Sequence, residues 1–428
     1  MLRTYYSSEI GKDLGGREVT IAGWARNIRD TGKIKFLIVA DRTGETQVLG
    51  KAGETDAKVL EDMRSVDKED VVSVRGIVRI NEKAPGGKEI IPSAITVLNK
   101  AEKPLPLDLN VKSNLDTRLN YRYLDLRRPE VRAIFRVRDV IQRSFVRYLE
   151  ENGFILVNTP SIVAAATEGG TNLFPISYFD TEAFLVQSPQ LYKQILMASG
   201  LDKVIIQCPV FRAEEHDTSF HLNESMQMDI EMAFVNGEPE ILHYLEGVIK
   251  YIYSRLSAEC AGEMKILGRD ATPPKGIKQI TYDEARGIIN QESKLEWGDD
   301  FTPEMQRIIN KKYNPVIVTK WPTDLRAFYS MPEPGNEKIC RAYDLLMDGV
   351  EISSGAQRIH KHDELVREMK RRGMNPDNFE FYLNAFRHGM PPHGGWSIGL
   401  DRLTMVITGM KNVRECVLFP RDRKRLTP

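Results

Sequence analysis

The chain has 428 residues, of which 41% are hydrophobic and 28% charged, a composition that matches a globular protein of about two or three domains and excludes fibrous and disordered chains. Its 60 basic and 60 acidic residues cancel, so a nucleic-acid partner would have to be held by local basic patches. No apolar run of about 18 residues occurs and the N-terminus has no apolar core, so we expect neither secretion nor a membrane span.

Five short β-rich runs, separated by turns that contain Asp, Gly or Pro, occupy residues 17–28, 33–41, 45–50, 71–80 and 89–99. In the fourth run apolar and polar residues alternate, which predicts a half-buried strand. Its inner face should hold Val72, Val74, Val78 and Ile80, and its solvent face Ser73, Arg75 and Arg79. A short helix over 56–64 lies where a five-stranded oligonucleotide-binding barrel carries its helix. We therefore predict an OB-fold barrel over residues 1–103.

A linker rich in Pro and polar residues follows, and we place a hinge at 104–130 and a second domain at 131–428. That domain opens with a predicted amphipathic helix that ends near Gly153 and buries Ile134, Val137, Ile141, Phe145 and Leu149. Its polar faces and the preceding segment hold nine arginines, namely Arg118, Arg122, Arg127, Arg128, Arg132, Arg136, Arg138, Arg143 and Arg147. This band could follow a phosphate backbone or could pair with acids elsewhere.

Two strands near 204–213 and 226–235, joined by a charged loop, predict a long hairpin. Alternation places Arg212 and Glu214 on one face, and Asp229 and Glu231 on one face of the returning strand. Such pairs indicate either a functional site or a solvated hairpin with cross-strand ion pairs. A second amphipathic helix is predicted over 239–256, and residues of about 260–330 form an insert without a recognisable motif.

A second hairpin is predicted around Asp348-Gly349, a strong two-residue turn signal. With those two residues as the loop, Leu346 lies opposite Glu351 and Asp344 opposite Ser353, so the two carboxylates become diagonal neighbours. They could hold Mg²⁺, which prefers oxygen ligands, or could be unrelated surface acids.

A Gly-rich strand runs into a helix over GLDRLTMVITGM and places Arg402 in its first turn. The free N–H groups and the positive dipole end of such a helix favour phosphate. A capping role or a structural ion pair for Arg402 is the alternative. The chain has no GxxxxGK[ST] loop, so a P-loop ATPase is not expected.

Taken together, these segments resemble the class II aminoacyl-tRNA synthetases, and within them the archaeal aspartyl type. The similar segments run through nearly the whole chain: GWARNIRD, DTRLNYRYLDLRRPEV, the helix-to-proline motif ending at Pro160, ATEGGTNLFP, QSPQLYKQ, FRAEEHDT, GVEISSG, MPPHGG, GLDRL and FPRDRKRLTP. The resemblance implies an α+β fold with an anticodon-binding OB-fold barrel and a catalytic antiparallel sheet flanked by helices. It also implies a homodimer whose interface includes the first motif, the helix-to-proline segment that ends at Pro160.

The implied activity joins aspartate to ATP as an adenylate and then to the 3′-terminal adenosine of tRNA(Asp). Because the attacking carboxylate is already ionised, positioning and charge neutralisation carry the rate. By resemblance, Arg212, Glu214 and Arg402 are catalytic, and they bind ATP together with His221, Leu222 and Glu351. The implied Mg²⁺ ligands are Asp344, Glu351 and Ser354.

The implied aspartate-binding residues are Glu168, Ser188, Gln190, Lys193, Arg212, Asp229, Ser354 and Arg358, with Gln190 near the substrate ammonium. A Lys and an Arg that converge on a buried site favour a carboxylate, because an uncharged amide would leave cationic donors uncompensated. The related asparaginyl enzymes typically carry a leucine-like residue in place of Lys193 and Glu in place of Asp229. Both positions therefore favour aspartate over an asparaginyl enzyme, and the retained charges disfavour a non-catalytic paralogue.

In the barrel, the residues similar to those that contact the anticodon are Arg26, Phe36, Gln47 and Pro85. Pro85 favours a relaxed enzyme that also charges tRNA(Asn). Two places depart from the usual pattern: Ser225 and Met226 stand where many relatives carry an aromatic residue against adenine, and Ser397 replaces a common glycine. Four widely spaced cysteines disfavour disulfides and zinc, so we expect a reducing cytoplasm.

Overall fold

The computed structural model describes residues 1–164, 173–215 and 218–428, and it divides into two compact units, Met1–Arg132 and Ala133–Pro428. The expected hinge at 104–130 belongs to the first unit. The expected domain ends at 103 and 130 stay predictions.

The first unit contains a closed five-stranded barrel with the strand order β1-β2-β3-β5-β4. Its elements are β1 (Glu18–Asp30), β2 (Ile34–Ala40), β3 (Glu45–Lys51), α1 (Ala57–Arg64), β4 (Val71–Ile80) and β5 (Lys88–Asn99). The Asp56 carboxylate caps α1 by accepting a hydrogen bond of 2.8 Å from the Lys58 backbone N–H. The predicted barrel and its helix are thus confirmed.

The inner face of β4 follows the predicted alternation except at its end. Val72, Val74 and Val78 are buried in the barrel core, but Ile80 is 41% exposed because it is the last residue of the strand. Ser73, expected on the wet face, is also buried, and its hydroxyl donates to the Leu2 carbonyl at 2.8 Å. The predictions for Ile80 and Ser73 were therefore wrong.

Three helices follow the barrel: α2 (Leu115–Asn120), α3 (Arg122–Asp125) and α4 (Pro129–Glu150). All five apolar residues predicted for α4 are at most 2% exposed, so the amphipathic helix is confirmed. Among the residues that the structure describes, eight of the nine arginines, all but Arg132, form ion pairs with acidic side chains. The band is therefore chiefly a set of ion pairs, as the second alternative held.

The remaining elements of the second unit are β6 (Ile155–Val157), β7 (Ile162–Val163), β8 (Pro175–Tyr178), β9 (Thr181–Leu185), α5 (Gln190–Met197), β10 (Lys203–Phe211), β11 (Glu224–Ala233), α6 (Glu238–Glu259), α7 (Ala261–Ile266), β12 (Lys278–Thr281), α8 (Tyr282–Ile289), α9 (Pro303–Lys312), β13 (Val316–Pro322), β14 (Pro332–Glu333), β15 (Asn336–Met347), β16 (Val350–Gln357), α10 (His362–Arg371), α11 (Glu380–Arg387), β17 (His393–Gly399) and α12 (Leu400–Thr408).

One large sheet organises this unit, with the strand order β12-β13-β15-β16-β17-β11-β10-β6 and β14 paired to β15. The central pairings are antiparallel, whereas β12-β13 and β10-β6 at the two edges are parallel. Strands β7, β9 and β8 form a small separate sheet. The predicted sheet flanked by helices is thus present, with a mixed rather than purely antiparallel pattern.

Helices α4, α6 and α12 pack with the central strands into one continuous core that includes Trp396. Helices α5, α10 and α11 share another core. The segment at 260–330, expected as an insert, contributes β12 and β13 to the main sheet, and its own core stacks Tyr282 on Phe301 with ring centroids 5.3 Å apart. Within the described ranges, no helix is long and apolar enough to cross a membrane.

Candidate functional site

A cavity of about 960 Å³ opens in the second unit, lined by both predicted hairpins and the β17-α12 junction. It brings together most of the residues that the sequence suggested: Ser188, Gln190, Lys193, Arg212, Glu214, His221, Leu222, Asp229, Glu351, Ser354, Arg358 and Arg402. Asp344 lies behind this lining and contacts it through Arg326. Glu168 lies outside the described residues.

Four buried charged side chains form one network at the floor of the cavity, and we call them the floor quartet. Lys193, Asp229 and Arg358 line the cavity, and Glu231 lies behind them in contact with Lys193 and Arg358. The Lys193 ammonium lies 2.9 Å from Asp229 Oδ1 and 3.4 Å from Glu231 Oε2. Arg358 Nε donates to Glu231 Oε1 at 3.0 Å. Each member is at most 4% exposed, so the charges are held by one another rather than by water.

This arrangement overturns one argument made from the sequence. We argued that an uncharged amide would leave Lys193 and Arg358 uncompensated, but two buried acids of the protein already balance these cations. Glu231 was noted on the strand face yet not proposed as a site residue. Selectivity for a carboxylate therefore needs a geometric basis in addition to the charges of Lys193 and Arg358.

The two acids of the quartet have opposite electrostatic surroundings. Burial raises the pKa of Asp229, although Lys193 and the Ser397 hydroxyl favour its ionised form. Burial acts on Glu231 as well, but the charges of Arg358 and Lys193 outweigh it and lower the pKa of that carboxyl. Glu231 is therefore a fixed anion, and Asp229 is the acid of the floor that can more readily take up a proton.

Arg212 and Glu214 follow the end of β10 and both line the cavity. Asn223, at the start of the returning segment, holds both: its side-chain amide donates to the Arg212 carbonyl at 2.7 Å and to the Glu214 carbonyl at 2.9 Å. The expected shared strand face does not apply, because neither residue lies within a strand. The loop backbone brings them to the same wall instead.

Arg402 lies in the first turn of α12, as predicted, and its Nη1 is 3.4 Å from the Glu351 carbonyl. The next residue towards the N-terminus, Asp401, accepts a hydrogen bond of 3.0 Å from the Met226 backbone N–H and pairs with Arg138. Acidic Asp401 thus anchors the helix start, and Arg402 is left on the cavity wall.

The β15-β16 hairpin has the predicted turn, because Asp348 and Gly349 both have positive φ, +49° and +76°, as a type I′ turn requires. Leu346 lies opposite Glu351, as predicted. Asp344, however, lies opposite Ser354 and not opposite Ser353, since a bulge between Leu345 and Leu346 shifts the register.

Arg326 is a site residue that the sequence did not reveal. Its Nη1 donates to Asp344 Oδ1 at 3.1 Å, its Nη2 also contacts the same carboxylate, and its guanidinium lies 3.8 Å from the centre of the Trp321 ring. The residue follows a strand by four positions in a segment without a motif. Only the three-dimensional neighbourhood of Asp344 identifies it.

The residues at this end of the cavity fit Mg²⁺. Burial, and then the charge of Asp344, raise the pKa of Glu351 to about 7, which shows a local demand for positive charge. Two carboxylates and the Ser354 hydroxyl are hard oxygen ligands. Among the described residues no group of three or more acidic, His or Cys side chains could hold a metal alone, so substrate oxygens would have to complete the shell.

The two departures from the usual pattern have different structural outcomes. The Ser397 hydroxyl donates to Asp229 Oδ2 at 2.9 Å and so contributes to the floor. Ser225 lines the cavity with no ring to offer, but Phe220 lines it as well. A nearby loop thus supplies an aromatic face that the expected position lacks.

The four residues expected to contact the anticodon lie in the barrel of the first unit. Phe36 is half-buried on the outward face of β2, since its neighbour Leu37 occupies the core. Gln47 Nε2 donates to Glu89 at 2.8 Å, and Arg26 pairs with Glu69 at 3.0 Å. Pro85 is exposed in the turn between β4 and β5.

Comparison with known proteins gives two matches to families. The family described as tRNA synthetases class II (D, K and N) matches residues 114–423. The family described as OB-fold nucleic acid binding domain matches residues 19–98. Together these matches span both units.

Similarity to curated proteins extends over the whole chain. This chain is 49% identical to an aspartate–tRNA(Asp/Asn) ligase of Methanocaldococcus jannaschii, with 100% of this chain and 98% of that protein covered. It is 47% identical to an aspartate–tRNA(Asp) ligase of Thermococcus kodakarensis, with both proteins fully covered.

Among solved structures, it is similar to asparaginyl-tRNA synthetase from Pyrococcus horikoshii complexed with asparaginyl-adenylate, with a TM-score of 0.94, 31% identity and both chains fully covered. It is also similar to aspartyl tRNA synthetase from Entamoeba histolytica, with a TM-score of 0.89 and 29% identity over 100% of this chain and 93% of that one. The backbone alone therefore does not separate aspartate from asparagine.

Proposed function

From the premise that this chain belongs to the class II tRNA synthetases of the D, K and N group, we propose that it is an aspartate–tRNA ligase. It activates L-aspartate with ATP and transfers the aspartyl group to the 3′-terminal adenosine of tRNA(Asp). The observation that carries the proposal is that one cavity joins Lys193, Asp229 and Arg358 of the floor quartet to Arg212, Glu351 and Arg402. Full-length similarity to aspartate–tRNA ligases supports aspartate as the amino acid.

The residues divide into two groups along the cavity. Ser188, Gln190, Lys193, Asp229 and Arg358 bind the amino acid, with Lys193 and Arg358 at the end of its side-chain carboxylate, and Glu231 supports the two cations from behind. Arg212, Glu214, His221, Leu222 and Arg402 bind ATP. Because both reactants are anions, the arginines neutralise the charge that accumulates as the carboxylate approaches the α-phosphate.

Asp344, Glu351 and Ser354 would hold Mg²⁺, which neutralises the phosphates and stabilises the departing pyrophosphate when bound. Burial raises the pKa of Asp344, and the contacting Arg326 guanidinium favours the ionised form of that carboxyl. Glu351 lines the cavity directly, so its carboxylate is the one that meets the nucleotide side.

We place a second copy of the chain on the exposed edge of the main sheet. Strand β6 is last in the strand order and belongs to the expected first motif. Ile155 and Leu156 on it are each 47% exposed, and Ile162 just beyond is 45% exposed. An apolar sheet edge of this kind is typical of a covered surface, which supports a homodimer. The four buried, free cysteines support a reducing cytoplasm.

The barrel binds the anticodon through Arg26, Phe36, Gln47 and Pro85, and we propose that both tRNA(Asp) and tRNA(Asn) are substrates. Charging of transcripts of the two tRNAs under identical conditions tests this range. We expect comparable charging of the two tRNAs. A large preference for tRNA(Asp) would contradict tRNA(Asn) as a substrate but would leave anticodon binding by the barrel intact.

ATP-pyrophosphate exchange without tRNA tests the amino acid and the metal. We expect exchange with aspartate and not with asparagine, and only with Mg²⁺ present. Exchange with asparagine instead would make the chain an asparaginyl enzyme. Silence with both amino acids would favour a non-catalytic paralogue.

A matched pair of variants tests the cavity as the site. Arg212→Gln should lower the exchange rate by about a hundredfold or more, the usual cost of removing one charge-stabilising donor. Arg367→Gln removes an exposed arginine from α10 and should leave the rate near wild type. Equal rates for the two variants would place the chemistry elsewhere.

A further inference from the structure

A chain of hydrogen bonds runs under the cavity floor from Gln190 to a backbone carbonyl. Gln190 Nε2 donates to Gln194 Oε1 at 3.0 Å, and Gln194 Nε2 lies 3.0 Å from His393 Nε2. His393 Nδ1 lies 2.8 Å from the Pro391 carbonyl oxygen. Only Gln190 of these side chains lines the cavity. The other two act behind it.

The donor-to-acceptor direction of these hydrogen bonds is determined by the Pro391 carbonyl at one end. A carbonyl oxygen can only accept, so His393 Nδ1 must carry the ring proton that it donates to Pro391. In the neutral ring Nε2 is then an acceptor, and Gln194 must present its NH₂ group to it. The Gln194 oxygen consequently faces the other way, towards Gln190.

The contacts of Gln194 and Gln190 with other side chains agree with this donor-to-acceptor direction. Tyr382 Oη lies 3.1 Å from the Gln194 oxygen, and it can donate there. Arg358 Nη2, which can only donate, lies 3.3 Å from Gln190 Oε1. A flip of either amide would set two donors or two acceptors against each other in a fully buried place, which is costly.

The ring of His393 is suited to a fixed role. It is 0% exposed, and burial lowers its pKa to about 4, so it is neutral near pH 7. The acceptor at Nε2 is therefore constant under ordinary conditions. Gln194 and Lys193 are neighbours on α5, so the same helix carries one member of the floor quartet and the residue that orients Gln190.

We propose that Gln194 and His393 are positioning residues that lock the Gln190 amide with its oxygen towards the substrate ammonium. The inference rests on the proposed function, and it assigns to these two residues the polarity of amino-group recognition. The Gln190 oxygen accepts from Arg358 and retains a second lone pair for the ammonium. A ligand without a donor at that point gains nothing from the lock.

Gln194→Met tests the lock, because methionine fills a similar volume but cannot accept from Gln190. The KM for aspartate in exchange should rise about tenfold or more, the value of one hydrogen bond to a charged group, whereas the KM for ATP should change less than about twofold. Tyr382→Phe is the matched control. It removes a hydrogen bond from the same Gln194 oxygen but leaves the polarity intact, so it should lower the Tm similarly with little change in either KM.

Succinate, which is aspartate without its amino group, separates positioning from general damage. Gln194→Met should weaken inhibition of exchange by succinate less than about twofold, while aspartate binding weakens about tenfold. Equal losses for the two ligands, or for aspartate and ATP, would overturn the proposal. So would a variant with unchanged KM for aspartate.

The lock also has a readout that needs no activity. Long-range ¹H–¹⁵N correlation of the imidazole rings distinguishes the two tautomers, and His393→Gln identifies the signal among the seven histidines. We expect a neutral ring protonated at Nδ1. A ring protonated at Nε2 would overturn the lock, whether or not the protein is active. Absence of ATP-pyrophosphate exchange in the wild-type protein would instead refute the proposed function.

Discussion

At the scale of single residues, the floor quartet dominates the energetics of the site. Two acids and two bases are buried with almost no exposure and make their contacts with each other. A charge in such a place is tolerated only while its partner remains, because neither water nor a counterion can replace it. The loss of one member therefore affects the fold before it affects chemistry.

Glu231→Gln should lower the free energy of unfolding by about 3–5 kcal/mol, because it leaves Arg358 with no carboxylate. Urea unfolding measures the change. Glu151→Gln is the matched control, since its partner Arg147 is exposed and the pair contributes little. If the two variants were equally stable, the quartet would not be the buried ionic unit described above.

His393 gives stability a predictable dependence on pH. Its pKa is lowered by burial from 6.5 to about 4, so between these values the unfolded chain binds a proton that the folded protein does not. Stability therefore rises with pH across this window, by about 3 kcal/mol in total, and is lost as the pH falls through it. In His393→Gln this part of the slope should vanish when urea unfolding is compared between about pH 4.5 and 7. An unchanged slope would show that the ring titrates normally.

At the scale of elements, the β15-β16 hairpin sets the position of Glu351 through its turn. Gly349 has φ +76°, and a Cβ added there would lie 2.3 Å from Arg307 Cγ on α9. Both the left-handed backbone and the close approach of α9 therefore require glycine.

Gly349→Ala should accordingly destabilise the protein by more than the roughly 1 kcal/mol that a left-handed alanine costs. Gly268→Ala is the control, because Gly268 has φ +64° but nothing within 4 Å of its added Cβ. Thermal unfolding compares the two. A larger loss for Gly268→Ala would contradict the contact with Arg307.

Elements with a strong period could be predicted from the sequence, and those that depend on distant side chains could not. The apolar spacing of α4 was sufficient to predict that helix, and Asp348-Gly349 was sufficient to predict the turn of the β15-β16 hairpin. The bulge beside Leu345 could not be predicted, because it adds one residue without changing the local hydrophobic pattern. Arg326 and the partnership of Glu231 with Arg358 also escaped prediction, since they join segments far apart in the chain.

At the scale of the whole molecule, the exposed edge of the sheet predicts self-association. Leu156→Glu places a charge on β6 and should convert a dimer to a monomer in sedimentation velocity. Ile266→Glu alters an equally apolar position on α7, which is 54% exposed, and should leave the dimer intact. A wild-type protein that sediments as a monomer at all concentrations would exclude this edge as the interface.

The cancellation of charges within the floor quartet also bears on how the protein responds to salt. Because the two acids and two bases neutralise one another, the floor quartet itself presents little net charge for dissolved ions to screen. RNA binding is different, since it releases counterions from the phosphate backbone and weakens steeply as salt rises. Higher ionic strength should therefore weaken the capture of RNA more than it weakens binding of the amino acid at the floor quartet.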